Sequence, residues 1–380
     1  MKIALFGGSF DPVHNEHVRY VQAAKAVLGL DKVFVIPSHI APHKAFGAVA
    51  SGEDRLAMCR LAFRNLPYAE VSDFEICASG TSYSYLTCRH FKELYPSDAL
   101  YFMVGADMLE DFFTWKNPDD ILANAALVAC RREGEDPAWC RDRFRTRFGK
   151  DFISVPFVGE AAASHKLRVD LAFRKPSPDL DRAVRRYIDE NRLYEHPAIA
   201  PALALEKPAR REHSYRVALM AVARARSVGV AEGKALIASA LHDCAKYVPL
   251  SSPLLEDFTP PENVPPPVMH QYTGAYLARH AFGIEDEEVL DAIRYHTSGR
   301  AGMPVLSKLV FLADMLEAGR DFAGVDRLRA LFWSDLDVCF YQALKEQVDY
   351  LHATGKPVYP LTEEAFEYEK GVQSARSENK

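Results

Sequence analysis

The chain has 380 residues, 48% of them apolar and 26% charged, and 46 basic against 52 acidic side chains leave a net charge of −6. This composition excludes a largely disordered or fibrous chain, and at roughly 100–200 residues per domain the length predicts two or three domains, each able to bury its own core. The acidic balance argues against broad nucleic-acid binding, although local dipoles and basic side chains can still capture small anions.

In chain order, the first half alternates short apolar runs with helical spacings. Residues 3–6 form an apolar run that ends in glycines, and 18–28 carry apolar residues on one helical face. Residues 33–36 read as strand, 53–63 as helix, 69–74 as strand and 83–95 as helix; 100–104 and 126–130 complete the strands. Nearly continuous apolar strands between helices predict a parallel sheet covered on both faces, with ligands at the carboxyl ends of its strands. From Glu212 onward only helical patterns appear, at 217–226, 232–246, 272–280, 286–295, 307–317 and 336–354. The fold class is therefore α/β followed by all-α. Residues 196–208 hold three prolines and read as a connection, 260–267 as a proline-rich loop, and the polar stretch after Gly371 as a frayed end. The predicted division is 1–195, a linker at 196–208, a second domain at 209–371 and a tail at 372–380. Seven scattered cysteines, with no Cys-x-x-Cys pair, predict reduced thiols. There is no apolar run of about 18 residues and no signal-peptide core, so a soluble, cytoplasmic chain without membrane association is expected, its oligomeric state open.

The first motif is Gly7-Gly8-Ser9-Phe10-Asp11-Pro12-Val13-His14-Asn15-Glu16-His17, which follows the first strand and opens a helix. Glycines admit a charged group close to the backbone, and a helix start offers unpaired N–H groups and a positive dipole end. His14 and His17 are three residues apart, so both can face one side of the first turn and stabilise charge on a phosphate. The run is neither a P-loop nor a dinucleotide fingerprint.

This stretch resembles the (H/T)xGH signature of the nucleotidyltransferase superfamily, and more closely the nicotinate-nucleotide adenylyltransferases. Pro42-His43-Lys44, Gly80-Thr81-Ser82-Tyr83, Gly105-Ala106-Asp107, Trp115-Lys116 and Ser164 through Arg168 fall in the same order, so the resemblance spans residues 1–194. It implies a Rossmann-like fold that joins ATP to nicotinate mononucleotide, with magnesium accompanying ATP and no covalent intermediate. It also implies an ATP site of Gly7, Gly8, Ser9, Phe10, His14, His17, Lys44, Gly105, Asp107, Ser164 and Arg168, with His14, His17 and Lys44 catalytic. Thr81, Ser82, Tyr83 and Trp115 are then expected to receive the nicotinate nucleotide. Two departures stand out. Glu16 replaces a usual glycine and is expected to point outward, where it favours the dipole. Ala163-Ser164-His165-Lys166-Leu167-Arg168 lacks a usual hydroxyl, so activity is expected to persist with weaker ATP binding.

The second motif interrupts an apolar helix face. His242-Asp243 lies within 232–246, His213 starts an earlier helical segment and Asp314 sits in a later one. Ionisable groups on apolar faces are costly unless paired or metal-bound, and mixed imidazole and carboxylate donors suit divalent metals. The pattern resembles the HD-superfamily phosphohydrolases. His213-Ser214-Tyr215-Arg216-Val217-Ala218, Tyr272-Thr273-Gly274-Ala275, Tyr295-His296-Thr297 and Ala313-Asp314-Met315-Leu316-Glu317 with Arg320 resemble the bacterial members that cut diadenosine tetraphosphate into two ADP. That resemblance implies His213, His242, Asp243 and Asp314 as metal ligands, iron as the metal with manganese or another divalent ion as the alternative, a mononuclear or dinuclear site, Asp243 as catalytic and water-orienting, and His270, His296, Thr297 and Arg320 on the phosphate chain. Lys246 could face the same cleft. The competing readings are a pantetheine-phosphate-type adenylyltransferase or a degenerate ATP-binding module in the first half, and a hydrolase or sensor of another nucleotide in the second.

Overall fold

The computed structural model describes residues 1–39, 49–78, 81–105, 108–131, 138–158 and 164–378. They divide into two compact units, Met1–Arg168 with Pro176–Tyr194, and Val169–Lys175 with Glu195–Lys380.

The first unit is built on a six-stranded parallel sheet, β1 (Lys2–Gly8), β2 (Lys32–Pro37), β3 (Ala69–Val71), β4 (Ala99–Val104), β5 (Ala126–Arg131) and β6 (Ile153–Val158), in the order β3-β2-β1-β4-β5-β6. The sixth strand was not apparent in the apolar pattern, because Pro156 and the half-buried Ser154 break its run. Ile3, Ala4, Leu5 and Phe6 are all buried, so both faces of the sheet are covered, as an all-parallel sheet requires. The strand order reverses between β1 and β4, which opens the crevice where doubly wound sheets bind ligands. The Gly7-Gly8 run and Gly105 stand at the carboxyl ends of these two strands.

The second unit is helical. One apolar core unites the helices Pro208–Ala225, Glu232–Leu241, Pro266–His280, Glu287–Tyr295, Val305–Leu316, Val325–Ser334 and Leu336–Ala353. Three local readings change. The 196–208 stretch contains a short helix, Ile199–Ala204, whose Ile199 and Ala202 are buried. The Pro266–His280 helix begins inside the proline-rich stretch, because proline suits a first turn whose N–H groups have no helical partner. The end of the chain is helical over Pro360–Glu378, anchored by the buried Ala365 and by Lys308 Nζ, 2.9 Å from the buried Glu369. No described helix is long and apolar enough to cross a membrane.

Candidate active sites

In the first unit, Asn15–Leu28 is the helix that the glycine run opens, with His14 as its N-cap. The His14 N–H donates to His17 Nδ1 at 3.1 Å, and the two rings lie 3.8 Å apart between centroids. A neutral His17 that accepts through Nδ1 carries its proton on Nε2. Phe10 packs edge-on against His17 at 5.0 Å. A Cβ on Gly8 would sit 3.1 Å from the Phe10 ring, so the second glycine leaves room for Phe10 where it packs against His17. His14 is buried, its Nδ1 has no hydrogen-bond partner among the described residues, and burial pushes its pKa down to about 4. Glu16 does not point outward as expected. It is buried and paired with Arg19, three residues along, whose positive charge offsets the carboxylate.

The loop under this turn is held by two buried charges that sequence reading left without a role. Asp11 accepts from Tyr194 Oη at 2.8 Å, Val49 N at 2.8 Å and Ala50 N at 3.1 Å. The Arg55 guanidinium, 2% exposed, donates to Ser9 O at 2.8 Å, Ser38 O at 2.7 Å and Ala50 O at 3.3 Å. Together they tie the ends of β1 and β2 to the segment entering the Gly52–Phe63 helix. Arg168 donates to Asp11 O, and Ser164 Oγ to Pro12 O at 3.2 Å, so both late-motif residues reach the same loop. Ser82 Oγ accepts from His39 N at 2.9 Å, which ties the Thr81–Tyr83 turn to the end of β2. Lys116 Nζ lies 4.3 Å from the Tyr83 ring centroid, and half-buried Trp115 packs against Phe112 and Phe102. Tyr83 and Trp115-Lys116 are thereby neighbours. Lys44 and Asp107 lie outside the described residues.

In the second unit, all four expected ligands converge (His213 from Pro208–Ala225, His242 and Asp243 after Glu232–Leu241, and Asp314 from Val305–Leu316). His213 Nε2 lies 2.8 Å from Asp314 Oδ1 and 3.9 Å from Asp243 Oδ2; His242 Nε2 lies 3.5 Å from Asp243 Oδ2 and 3.9 Å from Asp314 Oδ1. His242-Asp243 does not sit inside a continuous helix. The helix ends at Leu241, and tighter turns follow through Cys244 N to Leu241 O and Lys246 N to Asp243 O. The His242 Nδ1–Ser239 O contact of 2.7 Å orients the ring there. Gly274 makes room for this turn, since a Cβ there would meet His242 O at 3.4 Å.

His270 and His296, expected along a phosphate chain, join the same carboxylate from the other side. Their Nε2 atoms lie 3.1 and 3.6 Å from Asp243 Oδ1 and 3.1 Å from each other. Asp243 thus turns Oδ2 toward His213 and His242, and Oδ1 toward His270 and His296. Thr297 Oγ1 contacts His270 Nε2 at 3.1 Å. Arg210 Nη1 is 2.9 Å from Asp243 Oδ2, and Lys246 Nζ is 3.0 Å from His270 Nε2. Arg320, expected on substrate, instead grips Asp314, with Nη2 to Oδ1 at 2.6 Å and Nε to the carbonyl at 2.9 Å.

The donor chemistry fits divalent ions. The buried His213 Nε2, His242 Nε2 and Asp243 Oδ1 have no well-directed hydrogen bond among the described residues, although ligand-type atoms crowd within 4 Å of each. The ligand atoms of His213, His242 and Asp314 lie close enough together to hold one ion, and those of His242, Asp243 and His296 to hold another. Burial works against charge on His242, yet Asp243 and Asp314 push its pKa up to about 9, so the carboxylates call for positive charge here. Burial also opposes charge on Asp243, but the charge of neighbouring His242 holds it well below the usual carboxylate range. At His270 burial prevails, and its pKa is pushed down to about 4.

Comparison with known proteins covers both units. The cytidylyltransferase-like family matches residues 5–177, and the HD domain family matches residues 210–319. A Mycoplasma genitalium protein described as "Probable nicotinate-nucleotide adenylyltransferase/Ap4A hydrolase" is 31% identical over 90% of this chain and 97% of its own length. A "Probable nicotinate-nucleotide adenylyltransferase" of Clostridium tetani is 36% identical over 41% of this chain and 81% of its own. A Bacillus subtilis protein named "Bis(5'-nucleosyl)-tetraphosphatase, symmetrical" is 38% identical over 42% of this chain and 91% of its own.

Proposed function

The chain belongs to the nicotinate-nucleotide adenylyltransferase/Ap4A hydrolase family, and on that footing we propose that each unit catalyses its own polyphosphate reaction. In the first unit, the phosphate of nicotinate mononucleotide attacks the α-phosphorus of ATP, the bond to the bridging β-phosphate oxygen breaks, and pyrophosphate leaves. The product is nicotinate adenine dinucleotide. Catalysis is positioning plus charge stabilisation, without a covalent intermediate. The Nε2–H of His17 donates to the oxygen on which charge grows, and His14 orients it through its N–H. The backbone of Gly7 through Phe10, with Gly105 and Asp107, receives ATP. Lys44 and Arg168 bring positive charge to its outer phosphates and Ser164 a hydroxyl donor, and magnesium accompanies them. Trp115 covers the pyridine ring, while the Thr81–Tyr83 turn takes its carboxylate.

In the second unit we assign His213, His242, Asp243 and Asp314 to one divalent ion, and Asp243, His270 and His296 to a second. Iron or manganese suits these donors. Such ions supply a water of lowered pKa and polarise a phosphoryl oxygen. The chain's own part is to present the two Asp243 oxygens to separate imidazole sets, to hold the His242 ring through Ser239, and to flank the substrate with Arg210, Lys246 and Thr297. The substrate is diadenosine tetraphosphate, cut symmetrically to two ADP. The observation that carries this reading is the division of the Asp243 oxygens, because a single hydrogen-bonded core histidine would need only one partner.

The test is product identification with purified protein. ATP, magnesium and nicotinate mononucleotide are expected to give the dinucleotide. Diadenosine tetraphosphate, assayed with Fe²⁺, Mn²⁺ and Co²⁺ in turn, is expected to give ADP alone. Lack of the dinucleotide would overturn the first assignment, and ATP plus AMP, or no turnover with any metal, the second.

A further inference from the structure

Three of the histidines around Asp243 are held from behind, and not in the same way. His242 Nδ1 contacts Ser239 O at 2.7 Å and His296 Nδ1 contacts Ile293 O at 2.8 Å, each a backbone carbonyl three residues earlier. His213 Nδ1 instead faces a carboxylate, Glu317 Oε1, at 3.1 Å. Glu317 is 2% exposed and firmly fixed. Arg216 Nε donates to its Oε2, and the Gly319 N–H donates to the same oxygen at 2.6 Å. Arg329, from the Val325–Ser334 helix, holds the surrounding turn through the carbonyls of Leu316, Glu317 and Arg320 at 3.0, 3.0 and 2.8 Å. The turn therefore cannot move without breaking several charge-assisted bonds.

A carboxylate behind an imidazole keeps the proton on Nδ1, aims the Nε2 lone pair at the ion and raises its basicity. A neutral carbonyl also orients the ring but carries no charge. Building on the two-ion reading above, we propose that Glu317 is a positioning residue that makes the His213–Asp314 side the tighter of the two ion positions. The His270–His296 side, whose His296 rests on a carbonyl, is the weaker and more exchangeable one. Glu317 does not touch ion or substrate; it acts through His213.

Calorimetric titration of metal-stripped, full-length protein with Mn²⁺ tests this, with Glu317→Gln alongside. The wild type is expected to bind in two steps. Glu317→Gln is expected to weaken the tighter step by about 10–100-fold and to leave the weaker step in place. A wild type that binds no Mn²⁺ would overturn the two-ion reading itself. A wild type with two steps, both unchanged or both equally weakened in Glu317→Gln, would overturn the role of Glu317 alone. Thermal melts of the metal-free forms report folding. Should Glu317→Gln not fold, Arg216→Met keeps the carboxylate but loosens it from behind; the same step is expected to weaken by a smaller factor, and no change would refute the proposal.

Discussion

His14 is a histidine kept neutral by burial, and this has a consequence for stability. Its ring titrates at about 4 in the folded chain against 6.5 in the open. Above pH 6.5 both states are neutral and nothing is lost. As the pH falls from 6.5 toward 4 the unfolded chain takes up the proton first, so stability drops by up to about 3 kcal/mol and then levels off. Urea unfolding of the first unit at pH 7.5 and pH 5 is expected to show this loss in the wild type and not in His14→Asn; equal losses in both would refute it. His17, the donor in the proposed reaction, gives a different test. His17→Ala is expected to lower kcat for dinucleotide formation by about 10²–10³-fold with the fold retained, and an unchanged kcat would remove His17 from the chemistry. At this scale, motif spacing singled out His14, His17, His213, His242, Asp243 and Asp314, and the structure brings the two histidines of the first motif together and the four residues of the second together. Asp11 and Glu317 stand inside quoted motifs but carried no role there, and Arg55 and Tyr194 belong to no motif. Asp11 meets Tyr194 across 183 positions and Glu317 meets His213 across 104, and no local pattern encodes those contacts.

Among the elements, the parallel sheet was visible because strands buried on both faces leave unbroken apolar runs, and β6 escaped because its run is broken. The end of the helix before His242 was also hidden. Ala238 through Leu241 continue an apolar pattern that looks the same whether the chain stays helical or tightens. The close approach of the Pro266–His280 helix to that turn depends on Gly274. Gly274→Val is expected to cost about 1–3 kcal/mol in the second unit, since the added atoms meet His242 O and Ile293. Thermal unfolding measures it, and an unshifted transition would contradict the packing. The C-terminal helix offers a second check. Lys308 is the cation beside buried Glu369, so Lys308→Met is expected to leave an uncompensated carboxylate and destabilise by about 3–5 kcal/mol. A smaller loss would mean that Glu369 finds another partner.

Across the whole molecule, the account assigns two reactions to two separately built sites, one on glycine-bounded strand ends and one on carboxylates and imidazoles gathered from several helices. The order of motifs along the chain already separated them, and the α/β and all-α halves follow the same division. Helix packing alone decided which histidines join Asp243. Because no residue is shared, the two activities are expected to fail independently. The most direct test is to assay both products in one preparation of Asp243→Asn. The account predicts dinucleotide formation from ATP and nicotinate mononucleotide at the wild-type rate, with ADP release from diadenosine tetraphosphate lost. ADP release at the wild-type rate, or parallel loss of both products in a folded variant, would contradict it.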